Sequence, residues 1–281
     1  MGFLNKLFGK GTKTGQGTES EQGANVEQDT KVEQGAKVDQ VTTGAEPGAK
    51  VGQVTSTKEP EDNLIYRTEQ ELIERFGGIA FDKQYDFATV IGNNNWNIDM
   101  TKEEISFGPN LDFPIQVLGT FSHSSETWLW AWANTKSGLS EHITQQALQL
   151  KKYGEEQEID LFSNSSFDFS KDELHRIGLI ASGMFDASAY YIADYGQGAM
   201  LVTIKSDLVD RQRQDDHLRI LSVFPQVISQ FEMNHKIALQ WYLDEKGYKI
   251  SEQGAQLIAT KGGETITAEF DELSRLTNLK G

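Results

Sequence analysis

The chain of 281 residues contains no cysteine, which excludes a disulfide framework, a thiolate nucleophile and every cysteine-ligated zinc or iron–sulfur site. No stretch approaches the roughly 20 apolar residues that span a bilayer, and the N-terminus carries no secretory apolar core or cleavage site. Aromatic residues are missing from positions 11–60, which consist mainly of Gly, Thr, Gln, Glu and Lys with isolated Val or Ala. Such a segment cannot bury enough apolar surface to offset the entropy of ordering its backbone, roughly 1–2 kcal/mol per residue, and is expected to be a disordered linker. Basic runs are absent from the remainder: residues 61–281 hold 19 Lys plus Arg against 34 Asp plus Glu, so nearly all of the net charge of −16 resides there. A surface of that sign repels phosphate backbones and argues against nucleic-acid binding. It suits solubility or a basic protein partner. These absences together set the cytoplasm as the expected location, with peripheral attachment at the inner face of the membrane as a variant.

What is present begins with an amphipathic turn over residues 1–10, where Phe3, Leu4, Leu7 and Phe8 share one side and Lys6 and Lys10 the other. Four apolar residues give at most weak, reversible contact with an anionic membrane surface. Val26, Val32 and Val38 open successive six-residue repeats in the linker. With one apolar residue per repeat and a register that breaks near Pro47, they do not build a β-helix. From about residue 61 the pattern is that of a folded α+β unit. Thr68 and Glu71 form a capping box ahead of Leu72, Ile73 and Phe76, with Gly77 and Gly78 as the expected stop and a second short helix through Tyr85, Phe87 and Val90. Short β-favouring runs over 96–100, 105–107, 115–121 and 128–133 predict an antiparallel meander-type sheet. Helical spacing returns over 140–153, and again after a second capping box at Ser170 and Glu173. A hairpin is expected around Gly196 and Gly198. The region 61–210 reads as one α+β domain covered by helices. Residues 211–281 read as a C-terminal extension of two helices, with Pro225 as a kink or a new start, and three short strands over 248–251, 256–260 and 265–270.

The most distinctive run is Trp128, Leu129, Trp130, Ala131, Trp132, Ala133 and Asn134. In a strand the three indoles share one face while Leu129, Ala131 and Ala133 share the other, which predicts a central strand with helices close over the Leu/Ala side. The indoles serve either as core anchors or as the wall of a ligand groove. Together with Trp96 to Asp99, Ile105 to Phe107 and Pro114 to Phe121, this run resembles a bacterial domain-of-unknown-function family whose hallmark is the Trp-Leu-Trp-Ala-Trp-Ala-Asn signature. The resemblance covers about residues 75–210. It implies a domain boundary and a bacterial origin, and carries over no catalytic residue.

Chemistry is sparse. His123, His142, His175, His217 and His235 fall in different elements without the spacing of a metal pair, and no motif for a metal or another cofactor stands in the chain. Ser122, His123, Ser124, Ser125 and Glu126 place hydroxyls, an imidazole and a carboxylate on one turn, where adjacent residues do not adopt nucleophile–base geometry. Asp194, flanked by Tyr191 and Tyr195, is a candidate ligand contact. The reading that best fits is a non-enzymatic binding or interaction module whose candidate partner face comprises Trp128, Trp130, Trp132, Asp194 and Tyr195. Its candidate membrane contacts are Phe3, Leu4, Leu7 and Phe8. The alternative is an enzyme with a site beside the Trp-rich strand.

Overall fold

Thr68 opens the first helix, α1 (Glu69–Ile91), by accepting the Glu71 N–H at 3.1 Å, while the Glu71 carboxylate reaches back to the Arg67 N–H at 2.7 Å. The computed structural model describes residues 65–254 and 256–281. The turn of Phe3, Leu4, Leu7 and Phe8, the repeats and the linker over 11–60 lie outside the described residues. Gly77 and Gly78 do not stop α1, which runs on for 23 residues to a left-handed Gly92. A Cβ on Gly78 would lie 2.8 Å from Tyr242 Cβ, so Gly78 serves a close helix crossing, while a Cβ on Gly77 would make only ordinary contacts. The intrinsic cost of a helical glycine at position 78, about 1 kcal/mol, is offset by that packing.

The fold is α+β, built on antiparallel sheets. Strands β1 (Trp96–Asp99), β2 (Glu104–Phe107), β3 (Asp112–Ser122), β4 (Thr127–Trp130) and β5 (Ser166–Asp168) pair in succession, and the hairpin of β6 (Ala189–Asp194) and β7 (Gly198–Ile204) joins through β7 to β3. Strand β3 is the hub: its start pairs with β2, its end with β4, and Ile115 to Ser122 with β7. A bulge between Val117 and Gly119 shifts the register against β7. Helices α2 (Gln145–Gln157), α3 (Asp160–Ser163) and α4 (Leu174–Met184) follow, α4 behind the expected capping box of Ser170 and Glu173. After β7 come α5 (Asp207–Asp210), α6 (His217–Gln230), which continues through Pro225, and α7 (His235–Glu245). The chain closes with a four-stranded sheet of β8 (Lys249–Gln253), β9 (Gln256–Lys261), β10 (Glu264–Phe270) and β11 (Leu276–Lys280).

Helix α1 packs against both α4 and α7. Buried between α1, α6 and α7, Asp82 accepts hydrogen bonds from Arg219 Nε at 2.5 Å and Tyr242 OH at 2.9 Å and pairs with Lys246, itself only 2% exposed. Gln84 is fully buried; with its nitrogen toward the Tyr190 carbonyl, its amide pairs with both backbone groups of Tyr190 at 3.1 Å. That contact satisfies polar groups on the β6 backbone that would otherwise be buried without partners. No described helix is long and apolar enough to cross a membrane.

Candidate functional site

Two tight turns come together at one end of the large sheet. The β3–β4 turn spans His123 to Glu126, with Glu126 in the left-handed region at φ 50°. The β6–β7 turn carries Gly196 at φ 91°, a conformation that favours glycine. His123 N–H donates to the Gln197 carbonyl at 3.1 Å, tying the two turns together. Asp194 is the second tie: it accepts from Lys171 Nζ at 2.5 Å and the Gly196 N–H at 2.9 Å, and meets His123 Nε2 at 3.2 Å. Burial opposes the Asp194 charge, but these three donors prevail and hold its carboxyl below the usual value.

Asp194 thereby aims the next residue. The Tyr195 side chain lies over Gly198, where a Cβ would stand 2.7 Å from the Tyr195 hydroxyl, and the residue remains 53% exposed. It flanks a groove of about 580 Å³ lined by Thr120, Phe121, Ser122, Ser124, Ser125, Thr127, Leu129, Ser166, Tyr195 and Gln197. Pairing dictates this composition: Thr120, Leu129 and Ser166 stand in one cross-strand row, and Ser122, Thr127 and Asp168 in the next. No lining residue carries a charge, and six bear aliphatic hydroxyls. Beyond Ser125 the groove meets a hollow of about 440 Å³ lined by Ser125, Glu126, Asp168, Phe169 and Ser170, where two carboxylates stand.

The Trp run supports this surface from behind. Trp128 and Trp130 are fully buried and meet edge to face with centroids 5.3 Å apart, so neither faces a ligand. Gly119 makes room, since a Cβ there would sit 2.4 Å from the Trp128 ring. The strand ends at Trp130 rather than Ala133, because pairing with the three-residue β5 stops at Leu129 and Ser166 and the chain turns into a 3-10 segment over Ala131–Ala133. Trp132 leaves the common face and packs under Lys151, whose ammonium is 4.7 Å from its ring centroid. The side expected to lie under helices is instead the half-exposed groove side, represented by Leu129. The sequence singles out Asp194 and Tyr195, whereas the hydroxyl rows and the pair of Glu126 and Asp168 come together only through strand pairing. The signal available was the alternation of Thr127 and Leu129 with Trp128 and Trp130.

The catalytic potential is limited by geometry. Ser122 and Ser124 hydroxyls pair with each other at 3.1 Å, and among the described residues no hydroxyl bonds to His123. A serine nucleophile here lacks its base. The other imidazoles have local partners: His142 with Glu103, His175 with Tyr190, His217 beside Glu264, and His235 accepting the Leu276 N–H. Among the described residues no group of three or more His, Asp or Glu gathers where it could hold a metal ion.

Residues 70–206 match the model of a family described as a family of unknown function, DUF6882. That span contains every residue of the groove and of the adjoining hollow. No curated protein and no solved structure matches the chain.

Proposed function

We propose that the folded unit is a non-enzymatic interaction module that holds an extended, basic segment of a partner protein along the groove side of β3 and β4. The observation that carries this reading is the groove's composition. On a chain of net charge −16, a trough lined by hydroxyls, Leu129 and the exposed Tyr195 carries no charge, and it runs into a hollow bearing Glu126 and Asp168. Hydroxyls on a sheet face offer donors and acceptors to an extended chain, a tyrosine supplies apolar area at low entropic cost, and the acidic end selects a Lys or Arg side chain. The general negative charge steers such a partner toward the surface. In the same reading the Trp-Leu-Trp-Ala-Trp-Ala-Asn run is a family signature that fixes the strand from the core side, the source is bacterial, and the site of action is the cytoplasm. Phe3, Leu4, Leu7 and Phe8 supply a second, weak attachment to a membrane.

Peptide-library selection on the purified full chain tests the reading. Enriched peptides are expected to carry Lys or Arg, to lose about tenfold in affinity, equivalent to about 1.4 kcal/mol, when Glu126 and Asp168 are both changed to Gln, and to fail on Leu129→Arg. Their binding weakens as salt shortens the screening length. Peptides that bind all variants equally, or that ignore salt, would refute the proposal.

A further inference from the structure

A second concavity lies along α1, distinct from the groove. It has a volume of about 240 Å³ and is lined by four carboxylates and four cationic side chains, so its lining is balanced in charge. A balanced lining disfavours a dianion as much as a diamine, and its size limits the occupant to a small molecule. Inside it, Asp86 is only 5% exposed. Its Oδ1 pairs with Arg219, while its Oδ2 accepts a hydrogen bond from no described residue. Asp86 is one of the residues lining the cleft, and its second carboxylate oxygen is the acceptor that a ligand cation would use there. Burial accordingly raises the Asp86 carboxyl to about 6 against the pull of Arg219.

The mouth of the cleft shows the complementary feature. Lys83 Nζ and Lys205 Nζ converge on the Asp186 carboxylate at 2.8 and 2.9 Å. Both ammoniums have other partners, Lys83 the Ala187 carbonyl at 3.0 Å and Lys205 the Asp186 carbonyl at 2.7 Å and the Asp210 carboxylate at 3.2 Å, so they stay in place if the Asp186 carboxylate leaves. Asp186 is suited to leaving: its side chain is 79% exposed and its backbone is left-handed at φ 45°. The exposed pair of Lys205 and Asp186 contributes little to stability. The chain's own side chain thus occupies a two-lysine carboxylate seat. Lys83 and Asp86 are three residues apart on α1 and both line the cleft, so the lysine seat and the aspartate open into the same small space.

We propose that this cleft binds a small zwitterion of amino-acid size, with its ammonium on Asp86 Oδ2 and its carboxylate between Lys83 and Lys205 in place of Asp186. Isothermal titration of the full chain at pH 7 tests it, with the common L-amino acids and unbranched ω-amino acids from β-alanine to aminohexanoate as probes. Acetate and ethylamine serve as controls bearing one charge each. At least one zwitterion is expected to bind where neither control does. Asp186→Gly, which removes the competing carboxylate at an exposed position whose φ favours glycine, is expected to tighten that binding at least threefold. Asp86→Asn, with its fold checked by circular dichroism, is expected to weaken it at least tenfold. The proposal is overturned if no zwitterion binds either the natural chain or Asp186→Gly, if a control binds as well as the zwitterion, or if Asp186→Gly weakens binding. Unchanged affinity in a folded Asp86→Asn overturns it as well.

Discussion

Trp128 and Trp130 provide a paired experiment, because the same truncation at two equally buried positions differs chiefly in one hydrogen bond. Both indoles are fully buried, but Trp130 Nε1 donates to the Leu161 carbonyl at 2.9 Å, whereas Trp128 Nε1 has no partner among the described residues. Changing either to Phe removes roughly 40 Å² of apolar surface, or about 1 kcal/mol at about 25 cal/mol per Å². A residual cavity of roughly 40 Å³ adds about 1 kcal/mol more. The shared cost is therefore about 2 kcal/mol. At Trp130 the change also leaves the Leu161 carbonyl without this donor, a further loss of about 1–3 kcal/mol, while at Trp128 it removes a buried N–H that was already unpaired and recovers part of the cost. Trp130→Phe should therefore be less stable than Trp128→Phe by about 2 kcal/mol. Urea unfolding followed by far-UV circular dichroism, a probe that does not depend on the mutated indole, measures both. Equal destabilisation, or a greater loss at Trp128, would refute this account of how the Trp strand is fixed.

Gly178→Ala should destabilise despite a helix-propensity gain of about 1 kcal/mol, because the new Cβ would sit 2.4 Å from the fully buried Tyr190 ring, whose hydroxyl is held 2.8 Å from His175. Overpacking of this kind costs about 1–3 kcal/mol, so a melting temperature at or above that of the natural chain would contradict the packing argument. The pH dependence of stability combines two opposed groups. Burial, with a smaller contribution from Lys171, lowers His175 to about 4 from 6.5, so its stabilising contribution is present above pH 6.5 and is lost as pH falls toward 4. Asp86 has its folded value raised to about 6 from 3.8, so its contribution is present below 3.8 and lost as pH rises through 6. Between pH 4 and 6 the two partly cancel. Asp86→Asn removes one side of the balance, and its stability relative to the natural chain should rise by up to about 3 kcal/mol between pH 4 and pH 6.5. A flat difference across that range in chemical denaturation would exclude the Asp86 assignment.

Local signals made much of the fold legible. Thr68 and Ser170 announce their helices because capping is decided within four residues, and the β6–β7 hairpin follows from Gly196 and Gly198 between two apolar runs. Gly77 and Gly78 misled because a glycine pair looks the same whether it ends a helix or admits a neighbour, and the neighbour, Tyr242, lies far along the chain. Strand β11 carries little signal, because only Leu276 and Leu279 turn partly inward in an otherwise polar run. The Trp run reads as a longer strand than it forms, because its pairing ends with β5 at Leu129 and with β3 at Trp130, and the Ser, Phe and Asp of β5 carry almost no β signal. At the groove, the sequence marks Asp194 and Tyr195, but the contact of Asp194 with His123 and Lys171 depends on strand order.

The family-matched segment and the rest of the chain are bound together by a buried charge. Asp82 lies within residues 70–206, yet Arg219, Tyr242 and Lys246, the partners of its carboxylate, all lie beyond that span. Gly78 likewise presents its bare backbone to Tyr242. A chain ending at residue 206 would leave the Asp82 carboxylate without those three partners and the glycine surface of α1 without its cover. Breaking a buried pair by removing one partner typically costs 3–5 kcal/mol, a large part of the roughly 5–15 kcal/mol that holds a domain together. Removing residues 207–281 is therefore expected to loosen α1, and loss of helical far-UV circular dichroism in a chain ending at residue 206 would show it. The groove, built wholly from the matched span, depends on them indirectly through α1 and the sheet that α1 covers.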